Sequence, residues 1–267
     1  MKESRIILVL SLIVIAIAVA VWLDAQPDLP EPHYANKPLH QWLTAYDPQI
    51  RLTIPMGQLA ETDNAIRHMG ADAVPALLRM QQAHDSYLKL KFLALLKEQH
   101  IYPVHHIPAY NLNYAATRAF VALGTNAQSA VPQLIAIYKA NYSESSRELA
   151  TRSLEAIGPP AQAAIPTLVK SLASSSESAR LRLIQTLGAI RSNPDLSVPA
   201  IAAALKDNNW IVRHYATLEL THFGPAATSA VPALLKTLRD TNAIVRQYAT
   251  NALLRIDPAA LARTTAK

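Results

Sequence analysis

The sequence predicts an all-α fold, a right-handed α-α superhelix of stacked helix pairs, preceded by one N-terminal hydrophobic helix. An internal repeat predicts the stack. The segment that begins at Asp207 begins again at Asp240, an offset of 33 residues, and the Tyr-Ala-Thr tripeptide at 215–217 returns at 248–250. A repeat of this length is typical of helical solenoids, in which each helix pair stacks on the next to bury its apolar face.

Composition agrees with this fold and narrows the chemistry. Hydrophobic residues make up 51% of the 267 residues and aromatic residues 6%, which suits helices packed through Ala, Leu and Ile. Cysteine is absent, so disulfides, thiolate nucleophiles and Cys-based zinc sites are excluded. No phosphate-binding glycine motif occurs. Five of the six glycines follow an apolar helix end: Gly70, Gly124, Gly158, Gly188 and Gly224.

The N-terminal segment is predicted to anchor the protein in a membrane. Ile6–Leu23 is an 18-residue stretch without charge, and a helix of this length spans about 27 Å, close to the ~30 Å hydrocarbon core. Lys2 and Arg5 precede it. This predicts residues 1–5 in the cytoplasm and the remainder on the extracytoplasmic side of the cell inner membrane. Cleavage as a signal peptide, which would release the protein, is the alternative.

The rest of the chain divides into four predicted segments. Four prolines in residues 24–38 predict an extended linker. Residues 39–56 predict an N-terminal cap, residues 57–257 about five to six helix pairs, and residues 258–267 a C-terminal tail. The cap prediction depends on an apolar stripe at helical spacing, formed by Leu39, Trp42, Leu43 and Tyr46. A ligand-binding role for Trp42 is the weaker alternative.

The second helix of each pair is predicted to open with a proline. Proline is tolerated in the first helical turn because its missing N–H would have no partner there. The intervals from Pro132 onward are 34, 33 and 33 residues. The predicted opening prolines are Pro75, Pro132, Pro166, Pro199 and Pro232.

These motifs resemble HEAT repeats. The resemblance depends on Asp-x-x-x-x-Val-Arg-x-x-Ala at Asp207 and Asp240, and on Ala-(Val/Ile)-Pro-x-Leu at the second helices. It covers about residues 57–256 and is greatest for the short bacterial, phycobilisome-lyase-like subgroup, including uncharacterised exported or membrane-anchored proteins. It implies a binding scaffold without naming a ligand.

The resemblance also implies a structural ladder of Asp and Arg side chains between repeats, formed here by Asp207, Arg213, Asp240 and Arg246. Ser143 and Ser174 stand near the Asp positions of earlier repeats. The ladder is therefore expected to be incomplete there.

A basic series on the second helices is the candidate partner-binding site. Its residues stand four or seven positions after the prolines, which places them on one helical face. In HEAT solenoids the second helices line the concave side, so the resemblance implies a stripe of cations that binds an acidic protein segment or an anionic envelope polymer. The alternative is that cations near helix C-termini only complement the helix dipole. The series comprises Arg79, Lys139, Lys170, Lys206, Lys236 and Arg239.

Other candidate sites are weaker. His100, His105 and His106 lie in an insertion, where a solvated loop is favoured over a zinc site. Asp207 and Trp210 resemble the groove of solenoid DNA glycosylases only superficially. No zinc-protease or serine-hydrolase motif is present.

The sequence therefore predicts a non-enzymatic, membrane-anchored scaffold or adaptor that binds a protein partner through the concave face, and the basic series favours an acidic partner. No cofactor, metal or nucleic acid is expected, and a small-molecule ligand is not favoured. Two alternatives stay open: a lyase-like enzyme or small-ligand-binding protein of the same fold, and a passive structural spacer in the cell envelope.

Overall fold

The computed structural model describes residues 31–49, 54–98, 107–173 and 176–265. The predicted anchor Ile6–Leu23 and the three insertion histidines lie outside these ranges. Among the helices of the described ranges, none is both long and apolar enough to cross a membrane. The described helices belong to one compact unit, Pro32–Lys267.

This unit begins with a β-hairpin. Strands β1 (His33–Tyr34) and β2 (Lys37–Pro38) pair antiparallel. The two residues between them, Ala35 and Asn36, have φ angles of 50° and 60°. Positive φ at both central residues is typical of a tight two-residue hairpin turn. The C-terminal part of the predicted extended linker, residues 24–38, therefore pairs as a hairpin, since proline excludes a helix there but permits a short edge strand.

All other regular elements are helical. In chain order they are α1 (Leu39–Leu43), α2 (Met56–Met69), α3 (Val74–Gln82), α4 (Tyr87–Glu98), α5 (Ala109–Leu123), α6 (Val131–Ala140), α7 (Glu144–Ile157), α8 (Ile165–Leu172), α9 (Glu177–Ile190), α10 (Pro194–Ala203), α11 (Trp210–Phe223), α12 (Val231–Thr237), α13 (Ala243–Ile256) and α14 (Pro258–Thr265). Short 3-10 segments precede several of them. The predicted all-α solenoid is thus confirmed as the architecture of the described residues.

The helices form two layers. The long-helix layer consists of α2, α5, α7, α9, α11 and α13, each packed against the next. The proline-helix layer consists of α3, α6, α8, α10 and α12, which meet their neighbours largely through the 3-10 segments before them. The continuous apolar core lies between the two layers. Each helix pair therefore depends on its neighbours to cover its apolar face.

Alanines let the long helices pack closely. Ala116, Ala150, Ala216 and Ala249 occupy matching positions on four of them, and each is completely buried. A methyl side chain at the contact allows two helix backbones to approach closely. The long helices therefore pack directly against one another along the stack.

Helix boundaries repeat, with one break in register. Gly124, Gly158 and Gly224 end long helices with φ of 54°, 70° and 55°. In the repeat between the last two, Arg191 ends α9, with φ of 48°. The prediction that Gly188 follows a helix end is wrong, because Gly188 lies inside α9, three residues earlier.

The next helix shows a second departure. α10 begins at Pro194 and contains Pro199 in its interior, so the prediction of Pro199 as an opening proline is wrong. In the other regular repeats a 3-10 segment precedes the proline helix, such as Gly224–Ala230 before α12. Here that segment has become the first turn of α10 itself.

Candidate functional site

The six predicted cations lie at repeated positions on the proline-helix layer. α3, α6, α8 and α12 carry Arg79, Lys139, Lys170 and Lys236, while Lys206 and Arg239 follow α10 and α12. All six are solvent-exposed. None forms an ion pair with a residue that the structure describes. We call these six residues the basic stripe.

The basic stripe lies on a layer that is almost without acid. The proline helices, all of them described, contain a single acidic residue, Asp195. Asp207 and Asp240 directly follow Lys206 and Arg239, but their carboxylates pair with arginines of the long helices. In the long-helix layer several cations have carboxylate partners: Arg152 pairs with Glu148 at 2.8 Å and Arg182 with Glu155 at 3.4 Å. The positive potential of the proline-helix layer is therefore not cancelled locally.

The basic stripe lies on the proline-helix layer, one of the two layers of the stack. Its position on the concave side stays a prediction, because the contacts between helices define the two layers and not the direction in which the stack curves.

The ladder joins each arginine to the aspartate of the next repeat. Arg213 Nε and Nη2 donate to the two carboxylate oxygens of Asp240 at 2.7 and 2.9 Å. Arg180 binds Asp207 in the same way, at 2.7 and 3.1 Å. Such paired charge-assisted bonds fix both position and angle. The ladder therefore fixes how successive long helices stack at their N-terminal ends.

Within one Asp-x-x-x-x-Val-Arg motif the arginine side chain contacts the backbone carbonyl of the aspartate, not its carboxylate. Arg213 Nη1 donates to the Asp207 carbonyl oxygen at 2.8 Å, and Arg246 Nη1 donates to the Asp240 carbonyl oxygen at 2.7 Å. Arg180, which the sequence analysis did not single out, supplies the first carboxylate contact. It stands 33 residues before Arg213, so the period itself could have identified it.

Each ladder aspartate also organises the start of a helix. Asp240 Oδ1 accepts the Asn242 N–H at 2.8 Å, and the Asn242 side chain caps the first turn of α13. Asp207 and Asn209 make the same contacts before α11. Side-chain acceptors at these positions satisfy N–H groups that the helix leaves unpaired. In the earlier repeat Ser143 caps α7, and Ser174 lies outside the described residues.

The pKa values of the ladder carboxylates are lowered. For Asp240 the Arg213 hydrogen bond is the main cause, and it outweighs burial. For Asp207 burial raises the pKa, but the Arg180 hydrogen bond, the Asn209 N–H and the nearby guanidinium charges together lower it. Both carboxylates therefore stay ionised over a wider pH range than in an unfolded chain.

A buried carboxylate that the sequence analysis missed lies between α9 and α11. Glu219 is 7% exposed. Its Oε2 atom lies 3.0 Å from His222 Nδ1, and the two side chains share a hydrogen bond. The Glu219 side chain fills the space beside Gly188, where a Cβ atom would overlap with it. Burial raises the pKa of Glu219, although His222 lowers it in part. The sequence contained one indication of this buried carboxylate: a glutamate stands at a repeat position that holds a small or hydroxyl residue in the other repeats, namely Ala119, Ser153, Thr186 and Ala252.

Glu219 borders an open cleft of about 400 Å³, whose other lining residues include Glu155, Gln185, Arg191 and His222. Its lining carries acidic and basic groups beside the small residues Gly188 and Ala189. Within the described ranges no cluster of His, Asp and Glu could hold a metal ion. His100, His105 and His106, for which a zinc site was the alternative to a solvated loop, lie outside those ranges.

Trp210 lies at the start of α11, 39% exposed, beside a shallow groove that Asn209, Arg213 and Asn242 also line. The Asp207 carboxylate is held by Arg180 and is not directed into a catalytic arrangement with Trp210. The two residues whose pairing resembled a glycosylase groove therefore have structural contacts.

These observations define the class of protein: an α-solenoid of stacked helix pairs with an arginine–aspartate ladder. Residues 197–264 match the family model for HEAT repeats, a range that contains both Asp-x-x-x-x-Val-Arg motifs. No curated protein matches the chain. The match supports HEAT repeats in residues 197–264, while the bacterial subgroup and export stay predictions.

Similar solved structures include one designed repeat protein and two other engineered proteins. A designed armadillo repeat protein in complex with the peptide (KR)4 is 16% identical, with a TM-score of 0.47 over 82% of this chain and 99% of that one. Two engineered proteins are 17% and 18% identical. Their TM-scores are 0.43 and 0.42, over 82% and 81% of this chain and 96% and 62% of theirs.

Proposed function

We propose that the protein is a non-enzymatic scaffold that binds an acidic segment of another protein along the basic stripe. The observation that carries this proposal is the contrast between the layers. Several cations of the long-helix layer, such as Arg152 and Arg213, are paired with carboxylates, whereas all six cations of the basic stripe are exposed and unpaired among the described residues.

The repeat spacing favours an extended ligand. Neighbouring packed helices lie roughly 8–10 Å apart, and an extended peptide advances about 3.3 Å per residue. About every third residue of a peptide that crosses the proline helices would therefore lie over the next helix of the layer. Each exposed ion pair contributes little alone, so binding requires several pairs at once and weakens with added salt.

The test uses a fluorescent peptide with glutamate at every third position, and a second peptide of the same composition in which the glutamates are adjacent. Anisotropy at low ionic strength measures binding. The spaced peptide is expected to bind the wild-type protein more tightly than the clustered one. A Lys170→Glu/Lys236→Glu variant is expected to lose most of this binding.

A matched control is Arg67→Glu/Arg255→Glu, which makes the same change in net charge at exposed positions of the long-helix layer. It should keep most of the binding, apart from a general loss through net charge. Equal losses in the two variants would show that only the overall charge matters, and the basic stripe would not be the site.

We also propose that Ile6–Leu23 holds the scaffold in the cell inner membrane, with the repeats on the extracytoplasmic side. The support is the uncharged length of this segment and the two preceding cations. Alkaline carbonate extraction of membranes tests it. Retention of the full-length chain is the expected result. Release into the supernatant, with loss of the N-terminal residues, would show cleavage.

A further inference from the structure

Arg246 continues the arginine series of the ladder without a carboxylate partner among the described residues. Arg180 and Arg213 each direct Nε and Nη2 to an aspartate of the following repeat. Arg246 is the next arginine at the same interval, and it is exposed. Among the residues that the structure describes, no carboxylate contacts its Nε or Nη2.

Arg246 nevertheless has the orientation of a paired ladder arginine. Its Nη1 donates to the carbonyl oxygens of Asp240 and Thr241 at 2.7 and 3.0 Å. Arg213 Nη1 makes the corresponding bonds at 2.8 and 3.1 Å. These bonds hold the guanidinium so that its other edge is presented to an incoming carboxylate. A group that is already oriented loses less entropy on binding.

The face of α13 around Arg246 is a stacking face without a covering long helix. On α11 the corresponding face is buried by α13, and Thr217 there is 0% exposed. Its counterpart on α13, Thr250, is only half-buried. One turn further, Leu254 is 53% exposed. An apolar side chain beside an unpaired, oriented cation forms a surface suited to a protein partner.

We propose that this face, formed by Arg246, Thr250 and Leu254, docks a helix of another protein whose first turn follows an aspartate. The Arg180–Asp207 and Arg213–Asp240 pairs, which we call the closed steps of the ladder, define the partner's chemistry. Asp207 and Asp240 both stand in Asp-x-Asn-x-x-Val, where the asparagine caps the helix and the valine is buried. A partner helix with this start would place its carboxylate on Arg246 and its valine in the stack.

A second copy of the chain does not fit this face. Two copies joined through α13 would bring Arg246 against Arg246, which like charges oppose. Stacking the N-terminal end of another copy on α13 would require an uncovered α2, but α1 and its following turn lie against α2. The aspartates of both Asp-x-Asn-x-x-Val motifs are already held within the chain. The partner is therefore a different protein, and this inference does not depend on the basic stripe.

The experiment uses the full chain and a labelled, hydrocarbon-stapled helical peptide with the sequence of residues 238–256, which carries the Asp240 helix start. Binding of this peptide is measured by anisotropy with wild-type protein and with Arg246→Gln. The substitution is expected to weaken binding roughly ten-fold or more, as for loss of a two-point charge-assisted contact. An Asp→Asn change in the peptide at the position of Asp240 should weaken binding to the same extent.

Combining both changes should cost little more than either one alone, because both remove the same contact. The control variant Arg255→Gln removes another exposed cation of α13 and should leave binding unchanged. Absence of binding by the wild-type protein, or equal binding by Arg246→Gln, would overturn the proposal. So would self-association of the chain that Arg246→Gln abolishes in analytical ultracentrifugation, because the occupant would then be a second copy.

Discussion

The two ends of the helical stack are completed differently. At the N-terminal end, α1 and the following turn cover α2 and α5, and Leu39, Leu43 and Tyr46 are almost completely buried. At the C-terminal end, α14 packs on α13 but leaves Leu254 half exposed. One end has a dedicated cap, and the other keeps features of an internal stacking surface.

The hairpin strengthens the capped end. Trp42 Nε1 donates to the Tyr34 carbonyl oxygen at 3.2 Å, and Lys37 lies 4.2 Å from the Trp42 ring centroid. Tyr34 also stacks on His68 of α2, with ring centroids 4.6 Å apart. These contacts tie the segment before the repeats to the first long helix. A terminal repeat needs such a cover because its outer face would otherwise expose the core.

The largest expected difference between the ends concerns leucine truncation. Leu39→Ala should lower the free energy of unfolding by about 2–5 kcal/mol, since Leu39 is 1% exposed and its removal leaves a cavity. Leu254→Ala should change it by less than about 0.5 kcal/mol. Urea unfolding followed by circular dichroism measures both. Similar losses at the two positions would mean that the C-terminal face is covered in solution.

The next largest difference in stability is expected between a closed ladder step and the open step at Arg246, where no described carboxylate is bound. Asp240→Asn leaves the Arg213 guanidinium, on a side chain that is 12% exposed, without its charge partner, and should cost about 1.5–3 kcal/mol. Arg246→Gln removes no carboxylate contact but does remove the exposed bonds to the Asp240 and Thr241 carbonyl oxygens, and should cost about 0.5–1 kcal/mol. The same unfolding measurement applies. A loss from Arg246→Gln as large as that from Asp240→Asn would contradict the open step.

The tyrosine hydroxyl of the cap should have a smaller effect. Tyr46 donates a hydrogen bond to Asp63, and burial, followed by this bond, raises the pKa of Tyr46. Tyr46→Phe keeps the ring in the core and removes only this bond, so a loss of about 1 kcal/mol is expected. Thr250→Ala is the matched change at the other end and should cost less. A larger loss from Thr250→Ala would reverse the comparison.

Acid should open the closed steps in part. The folded-state pKa values of Asp207 and Asp240 are lowered, so the unfolded chain binds more protons as the pH falls. Their contribution to stability is complete well above the unfolded pKa of about 3.9 and is lost as the pH falls through their folded pKa values. Asp240→Asn should therefore flatten the decrease of stability below about pH 5. An unchanged slope would show that this carboxylate is not held by Arg213.

The fold was predictable because each repeat buries the same apolar positions, which the 33-residue period exposes in the sequence. The N-terminal cap residues could be recognised from helical spacing alone. The side of the stack on which the basic stripe lies could not, because curvature depends on the spacing between helices that are distant in sequence.

Two other features escaped prediction for local reasons. Arg180 lacks the valine that precedes Arg213 and Arg246, so its motif was not recognised although its interval was correct. Gly188 stands three residues from the true helix end at Arg191, and a glycine near an apolar helix end resembles a cap in sequence. Only the packed structure shows that Gly188 makes room for Glu219.

That pairing limits how the repeats can be rearranged. Repeats in a solenoid are often treated as exchangeable modules, but here the repeat that contains Gly188 and the one that contains Glu219 are matched to each other. A graft that placed the Glu219 repeat after one with a side chain at the Gly188 position would produce a steric overlap. The two repeats would have to be transplanted, duplicated or deleted as one 66-residue block, twice the 33-residue period.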